Sequence, residues 1–543
     1  MVGVVDQDWW RGAAIYQVYP RSYQDSNDDG IGDLKGITRR LDHIATLGVD
    51  AVWLSPFFTS PMLDFGYDVS DYLGIDPMFG TIEDFKALMA KAKLLNLKVI
   101  IDLVLSHTSD QYPWFKQSRL SKDNPYADYY VWADPKPDGT PPNNWLSIFG
   151  GVAWEWEARR EQYYMHNFLK QQPDLNFHNP KVVEELLGVA RFWLDLGVDG
   201  FRLDTVNYYT HDAELRDNPP YPSDFVVDVP KANPYGWQDH IYDKSRPENL
   251  RFLEKLRSVM DQYGATMAVG EVGDGYKSLQ TVAEYTRGKN RLHMCYAFDF
   301  LSPAFGREHV AKTITTFEDV ASDSWACWAF SNHDVIRHAS RWATFLPDHE
   351  VLCGFAVSLL CALRGSICLF QGEELGFTES DIPFDLLQDP YGKTFWPEFK
   401  GRDGCRTPMA WEKAAPNAGF SNANHTWLPI DAQHQASAAN VQVSNPASIF
   451  ALYQRFLALR KKHKALRLGS ISLITNEGDL LAFERQMGEE RILCVFNFAP
   501  QPASYVLPHG AKASLIAESA LRAQHSGQTL QLGPGGAGYL VAS

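Results

Sequence analysis

Residues 82–103 read IEDFKALMAKAKLLNLKVIIDL, and they hold two different periods. Ile82, Phe85, Leu88, Ala92 and Leu95 fall three or four apart, which lines one face of a helix. At Lys98 the period vanishes, and KVIIDL is a short run without polar alternation, the pattern of a parallel strand covered on both faces. Helix then buried strand is half of a βαβ unit.

The same texture recurs along the chain. Further short apolar runs are Ala14–Tyr19, Ala51–Ser55, Gly200–Leu203, Thr266–Val269, His293–Phe300, Trp325–Phe330 and Ser366–Phe370. Helical spacing returns at Leu34, Ile37, Leu41, Ile44 and Leu47 before Gly48. It returns again at Val183, Leu186, Val189, Trp193 and Leu196 before Gly197, and at Leu250, Leu253, Leu256 and Met260 before Gly264. Strand and helix alternating about eight times predict an α/β chain built as a (β/α)8 TIM barrel.

Two stretches break the rhythm. Residues 107–179 are rich in Pro, Trp, Tyr and Asn without a period, which predicts a subdomain inserted after the third strand. Pro219–Asp243, after the fourth strand, is irregular too and is expected to cover the barrel mouth. From Gly469 onward the chain alternates in short strands, at 471–473, 480–484, 491–498, 504–507 and 538–541, a small antiparallel β-sandwich domain. The expected division is therefore a barrel over 1–106 and 180–468, an insert over 107–179 and a β domain over 469–543.

Composition fits that reading. At about 100 to 200 residues per domain, 543 residues make two to four domains. With 50 Lys and Arg against 66 Asp and Glu, the net charge of −16 repels phosphate backbones and anionic membranes. Aromatic residues at 13% supply flat apolar faces of the kind that stack on sugar rings. The 7 cysteines are odd in number and none precedes Cys295, so buried free thiols are expected instead of a disulfide framework. MVGVVDQDWWRG at 1–12 lacks the basic start and apolar run of a secretory signal, and no stretch is apolar enough for a membrane span, so a cytoplasmic location is expected.

In a barrel of this kind, chemistry gathers where the strands end. Ser106 and His107 follow the third run; the fourth carries Arg202 and ends at Asp204; the fifth ends at Glu271; Asn332, His333 and Asp334 follow the seventh. One Asp after a strand is ordinarily a turn former or helix cap. Several like charges gathered at one end of a barrel are costly without a purpose. With no Ser or Cys nucleophile motif and no Gly-rich phosphate loop, paired carboxyls point to glycoside hydrolysis, one attacking the anomeric carbon and one protonating the leaving oxygen.

The motifs AIYQVYPRSY (14–23), DFGYDVSDY (64–72), DLVLSHTSD (102–110), QPDLNFHNP (172–180), GFRLDTVN (200–207), GEV (270–272) and FSNHD (330–334) occur in that order. Through them the chain resembles the α-amylase-type glycoside hydrolases, in their α-glucosidase and oligosaccharide-glucosidase branch. The resemblance implies Asp204 as nucleophile, its pKa lowered by Arg202, Glu271 as general acid and then base, and Asp334 as the carboxylate gripping hydroxyls beside the reacting carbon. It implies His107 and His333 as hydroxyl donors, Asp64 and Tyr67 at the closed end, and Arg402 as partner of Asp64, with Arg406 its competitor. Ser106 stands where many relatives carry Asn.

The resemblance also bears on metal and specificity. DSNDDGIGD at 25–33 begins like an EF-hand loop but has Gly36 at the twelfth position, which excludes an EF-hand. Asp25, Asn27, Asp29, Asp33 and the Ile31 carbonyl match a loop that binds Ca²⁺ or Mg²⁺ in related glucosidases, in a structural role. Thr205 after the nucleophile implies an α-1,4 preference, a difference worth about 1 to 3 kcal/mol. The expected activity is thus a retaining, exo-acting α-glucosidase on maltose and short oligosaccharides, with transglucosylation. A glucosyltransferase or sucrose isomerase is the alternative within the family, and a non-catalytic binding relative the alternative outside it.

Overall fold

The computed structural model describes residues 6–222, 229–321, 323–509 and 512–542. Eight parallel strands form one sheet: β1 (Ala14–Val18), β2 (Ala51–Leu54), β3 (Lys98–Leu103), β4 (Gly200–Leu203), β5 (Met267–Val272), β6 (Met294–Ala297), β7 (Cys327–Ala329) and β8 (Ser366–Phe370). Their order around the sheet is β6-β5-β4-β3-β2-β1-β8-β7. A parallel bridge between Cys295 and Ala326 joins the two edge strands and closes the barrel.

Alternation along each strand decides what faces where. Ile15, Ala51, Trp53, Ile100, Met267, Val269, Met294 and Tyr296 pack together inside the barrel. Val52, Leu54, Val99, Ile101, Leu103, Phe201 and Leu203 pack outward under the helices. Helix α1 (Leu34–Leu47) shows the physics of the outer layer. Leu34, Ile37, Leu41, Ile44 and Leu47 are all buried, each worth about 1.5–3 kcal/mol. The Asp33 carboxylate accepts from Gly36 N–H at its start, and Gly48, at φ 85°, ends it in the left-handed region. An Asp33→Ala change would leave that first turn uncapped, at about 1 kcal/mol.

Residues 107–179 carry a small sheet of three strands, 132–133, 154–157 and 162–165, with Trp145 and Trp154 in its core. The C-terminal part is an antiparallel sheet of seven strands, at 470–477, 480–487, 490–497, 503–506, 513–515, 521–526 and 529–542. The last strand pairs with four of the others, although its GPGGAG run resembles a turn in sequence. All seven cysteines are buried and unpaired. Among the described residues, no helix is long and apolar enough to cross a membrane.

Candidate active site

The barrel's inward parity runs from apolar at one end to charged at the other. In β3 it passes from Ile100 to Asp102, in β5 from Met267 and Val269 to Glu271, and Arg202 of β4 leads to Asp204 just beyond the strand. Asp102 and Arg202 are register partners on adjacent strands, as are Glu271 and Tyr296. Gly200 is required where β4 begins, because a Cβ there would lie 2.3 Å from the Met267 carbonyl of β5.

Arg202 is the hub. Its Nη1 lies 2.8 Å from Asp102 and 2.6 Å from Asp204, and its Nη2 lies 2.6 Å from Glu271. It also donates to the Tyr296 hydroxyl, at 2.8 Å, and its guanidinium lies over the Trp53 ring. Thr205, held at φ 39°, turns its N–H onto the Glu271 carboxyl at 3.0 Å and its hydroxyl toward Asp204 at 3.3 Å.

Asp334 sits across from this cluster. Arg406 donates to it at 3.0 Å, Arg402 at 3.3 Å, and His333 stands at 3.2 Å. The two candidate arginines thus share Asp334, but Arg402 alone also donates to Asp64, at 2.9 Å, and pairs with Asp389 at 2.8 Å. Asp64 is further bonded by Gln172 of the insert, at 3.1 Å. Tyr67 lies flat on His333, with ring planes 7° apart, and hydrogen-bonds it through its hydroxyl. His107 faces the Tyr67 carbonyl at 3.0 Å and Ser106 Oγ at 2.9 Å. The sequence-predicted catalytic and sugar-binding residues therefore come together in one place.

Burial dominates the electrostatics. It pushes the Asp204 and Glu271 carboxyls up to about 7, against the pull of Arg202. This corrects the expectation that Arg202 holds Asp204 low: desolvation outweighs the cation, which must also serve Asp102 and Glu271. Burial likewise raises Asp102 and Asp64 to about 6 and lowers His107 to about 4. At Asp334 burial also acts upward, but His333, Arg402 and Arg406 outweigh it and hold that carboxyl well below the usual range. Asp64, Asp102, Asp204, Glu271, Asp334 and Asp389 face only three guanidinium groups, so the cluster retains protons near neutral pH.

Asp102, Asp389, Gln17 and Gln172 belong to the same cluster and are not among the residues expected from sequence. A signal existed for Asp102 and Gln17, each a polar residue inside an otherwise apolar run. Gln17 donates to His333, at 2.8 Å. Asp389 and Gln172 lie in loops whose meeting with Arg402 and Asp64 depends on the closed fold.

The loop at 25–33 is engaged internally. Asp25 accepts from the amides of Asn27, Asp28 and Gly30 and from Ser421 Oγ; Asp33 accepts from Ser26 and Gly36; Asp29 accepts from Ile31 and from the Asn27 side chain. Among the described residues no group of three or more His, Cys, Asp or Glu is arranged to hold a metal ion. Of Pro219–Asp243, residues 223–228 lie outside the described residues. From the rest, Asn233 donates to the Ile148 carbonyl of the insert, at 2.8 Å.

Residues 17–469 match the α-amylase catalytic domain, and residues 472–537 match the maltogenic amylase C-terminal domain. A probable α-glucosidase of Rhizobium meliloti (strain 1021) is 58% identical over 506 residues, 93% of this chain and 92% of that one. An oligo-1,6-glucosidase of Heyndrickxia coagulans is 35% identical, over 92% of this chain and 94% of its own. The crystal structure of the α-glucosyl transfer enzyme XgtA superposes with a TM-score of 0.95 at 51% identity, covering 98% of this chain and 99% of that one. The trehalulose synthase MutB of Pseudomonas mesoacidophila MX-45 does so with a TM-score of 0.88 at 33% identity, covering 98% and 99%. Barrel, C-terminal sheet, carboxyl cluster and relatives agree: the chain is a glycoside hydrolase and belongs to the α-amylase family.

Proposed function

We propose that the protein is a retaining, exo-acting α-glucosidase that removes terminal non-reducing glucose from short α-1,4-linked substrates such as maltose. The observation that carries this reading is the bridging of Asp204 and Glu271 by two nitrogens of one guanidinium, each at 2.6 Å. Such a bridge favours the closer of the two carboxyl spacings found in glycosidases, the one that leaves no room for a water behind the sugar.

Asp204, as carboxylate, attacks the anomeric carbon while Glu271 gives its proton to the departing glycosidic oxygen. A glucosyl ester forms and the leaving sugar departs as an alcohol. Glu271, now a carboxylate, takes a proton from water, whose oxygen attacks the same carbon and frees Asp204. Asp334 accepts hydroxyl hydrogen bonds beside the reacting carbon, a contact that strengthens as positive charge develops there. The Asp64–Arg402–Asp389 chain, joined by Gln172, supports a pocket blind at one end, hence exo action.

A second reading, transfer of glucose to a sugar or alcohol acceptor, is favoured by the 51% identity to an enzyme named for α-glucosyl transfer. A proton NMR time course on maltose, isomaltose and sucrose separates these. Initial α-glucose from maltose, with little from isomaltose, is the expected result, and new glycosidic signals at high substrate select the transfer reading. Initial β-glucose would overturn the nucleophile assignment.

For the loop at 25–33 we propose a structural role for Ca²⁺ or Mg²⁺, supported by oxygen donors at alternate positions. An ion held by the side-chain oxygens of Asp25, Asn27, Asp29 and Asp33 and the Ile31 carbonyl would brace the loop between α1 and residues 420–423, and would take no part in the chemistry. A cytoplasmic location likewise remains our proposal.

A further inference from the structure

Lys244 is a buried ammonium that the catalytic assignments leave unused. It spends its three N–H donors on neutral acceptors: the Gly273 carbonyl at 2.8 Å, the Tyr235 hydroxyl at 3.1 Å and the Tyr208 hydroxyl at 3.2 Å. The buried carboxyls of Asp243 and Asp274 lie near enough to offset its charge, and the three donors fix the ammonium in one geometry.

What Lys244 holds is the backbone two residues beyond Glu271. Gly273 is gripped from a second side by Asn207, whose side chain accepts from its N–H at 3.2 Å and donates to its carbonyl at 3.1 Å. One residue after Asp204, the Thr205 N–H reaches the Glu271 carboxyl itself. The backbone just beyond the two reacting carboxyls is therefore stitched together, and Lys244 adds the segment that ends at Asp243. That loop is fixed in turn: Tyr235 stacks on His240 at 3.6 Å, and His240 pairs with Asp243 at 2.6 Å. The Tyr208 ring packs 5.5 Å from Phe168, which lies 5.2 Å from His107, so the same ammonium also orders the aromatic wall of the pocket.

We propose that Lys244 is a positioning residue that, through the Gly273 carbonyl, aims the Glu271 carboxyl at the oxygen of the departing group. The proposal rests on the glucosidase reading, since it requires a proton to be delivered there. It concerns geometry, because Lys244 touches neither reacting carboxyl.

The test compares Lys244→Met with the native enzyme on maltose and on 4-nitrophenyl α-glucoside, whose phenolate departs with little help from a proton donor. The quantity read is kcat/KM, which reports formation of the glucosyl ester alone. Correctly placed proton transfer is worth about 10²- to 10⁴-fold, so the loss on maltose is expected to reach about tenfold or more and to exceed the loss on the aryl glucoside severalfold. Lys244→Gln, which keeps a donor for Gly273, is expected to recover part of the difference, and it serves as the probe if the Met variant melts below assay temperature. Equal losses on both substrates, or no loss on either, overturn the proposal. Native enzyme that cleaves neither substrate overturns the glucosidase reading instead.

Discussion

Arg202 Nη1 stands 2.8 Å from Asp102 Oδ1 in the barrel interior, with neither side chain exposed. Asp102 is fully buried beneath Arg202, and its negative charge helps raise Asp204. In Asp102→Asn that contribution disappears, and Arg202 acts on Asp204 and Glu271 with one competitor fewer. The kcat/KM profile against pH is expected to shift to lower pH as a whole, with reduced maximum activity. An unshifted profile would mean that Asp102 only holds the guanidinium in place.

The reacting carboxyls should cost stability. Asp204 and Glu271 titrate near 7 when folded, against about 4 in an unfolded chain. The folded state thus binds their protons more tightly. Their stabilising contribution is full below about pH 4 and is lost as pH rises toward 7. Asp204→Asn and Glu271→Gln are expected to lose activity by about 10³-fold or more while melting about 1–3 °C above the native protein at pH 8. The gain should shrink toward pH 5, as followed by calorimetry.

Asp334 should behave in the opposite way. Its folded value lies below the unfolded one, held there by His333, Arg402 and Arg406. The stability it supplies is present above about pH 4 and is lost only as pH falls through its folded value. Asp334→Asn is expected to lower Tm at pH 7, since it keeps an acceptor oxygen but removes the negative charge shared by two buried guanidinium groups, at a cost of up to about 3–5 kcal/mol. A variant that melts higher would show that the arginines are satisfied by Asp64 and Asp389 alone.

In the proposed exo-acting reading, the blind end of the pocket depends on Arg402. In Arg402→Gln, Asp64 and Asp389 lose their common cation, and the terminal glucose loses a wall ordered by it. The KM for maltose is expected to rise about tenfold or more with a smaller fall in kcat, and the parallel Arg406→Gln variant, which leaves Asp64 paired, should raise KM less.

Chelation addresses the loop at 25–33. Incubation with EDTA followed by desalting is expected to lower Tm by a few degrees, restored by Ca²⁺ or Mg²⁺, with kcat/KM at low temperature unchanged. Identical melting before and after, with no metal by elemental analysis, would reduce the loop to the Asx-turn that its own amides already complete.

The barrel was legible because its strands are buried on both faces, whereas helices such as Leu34–Leu47 bury one face only. Those two environments write different periods, and the run at 82–103 holds both. The candidate catalytic positions could be read because each lies at or shortly beyond the C-terminal end of a strand, Asp204 just after β4, Glu271 near the end of β5 and Asp334 a few residues past β7. The reading faltered where contacts join distant segments: Asp389 meets Arg402 across a loop, and Gln172 reaches Asp64 from the insert. It faltered also on electrostatics, since sequence places Arg202 beside Asp204 but does not reveal that Asp102 and Glu271 compete for the same cation. In the C-terminal sheet, the strands at 513–515 and 521–526 were missed because one is only three residues long and the other is mostly polar and half exposed.

The inward parity of the strands has a further consequence. Ile100, Met267 and Val269 form a buried apolar floor beneath the hub, and Arg202 has no exposed surface. Mobile ions screen charges that face solvent, with a Debye length of about 3 Å at 1 M salt, but they do not enter such a space. Ionic strength therefore acts on the outer shell of the −16 net charge, where it alters solubility and encounters between molecules. Arg202 and the buried carboxyls it pairs with act on one another unscreened by the brine around the molecule.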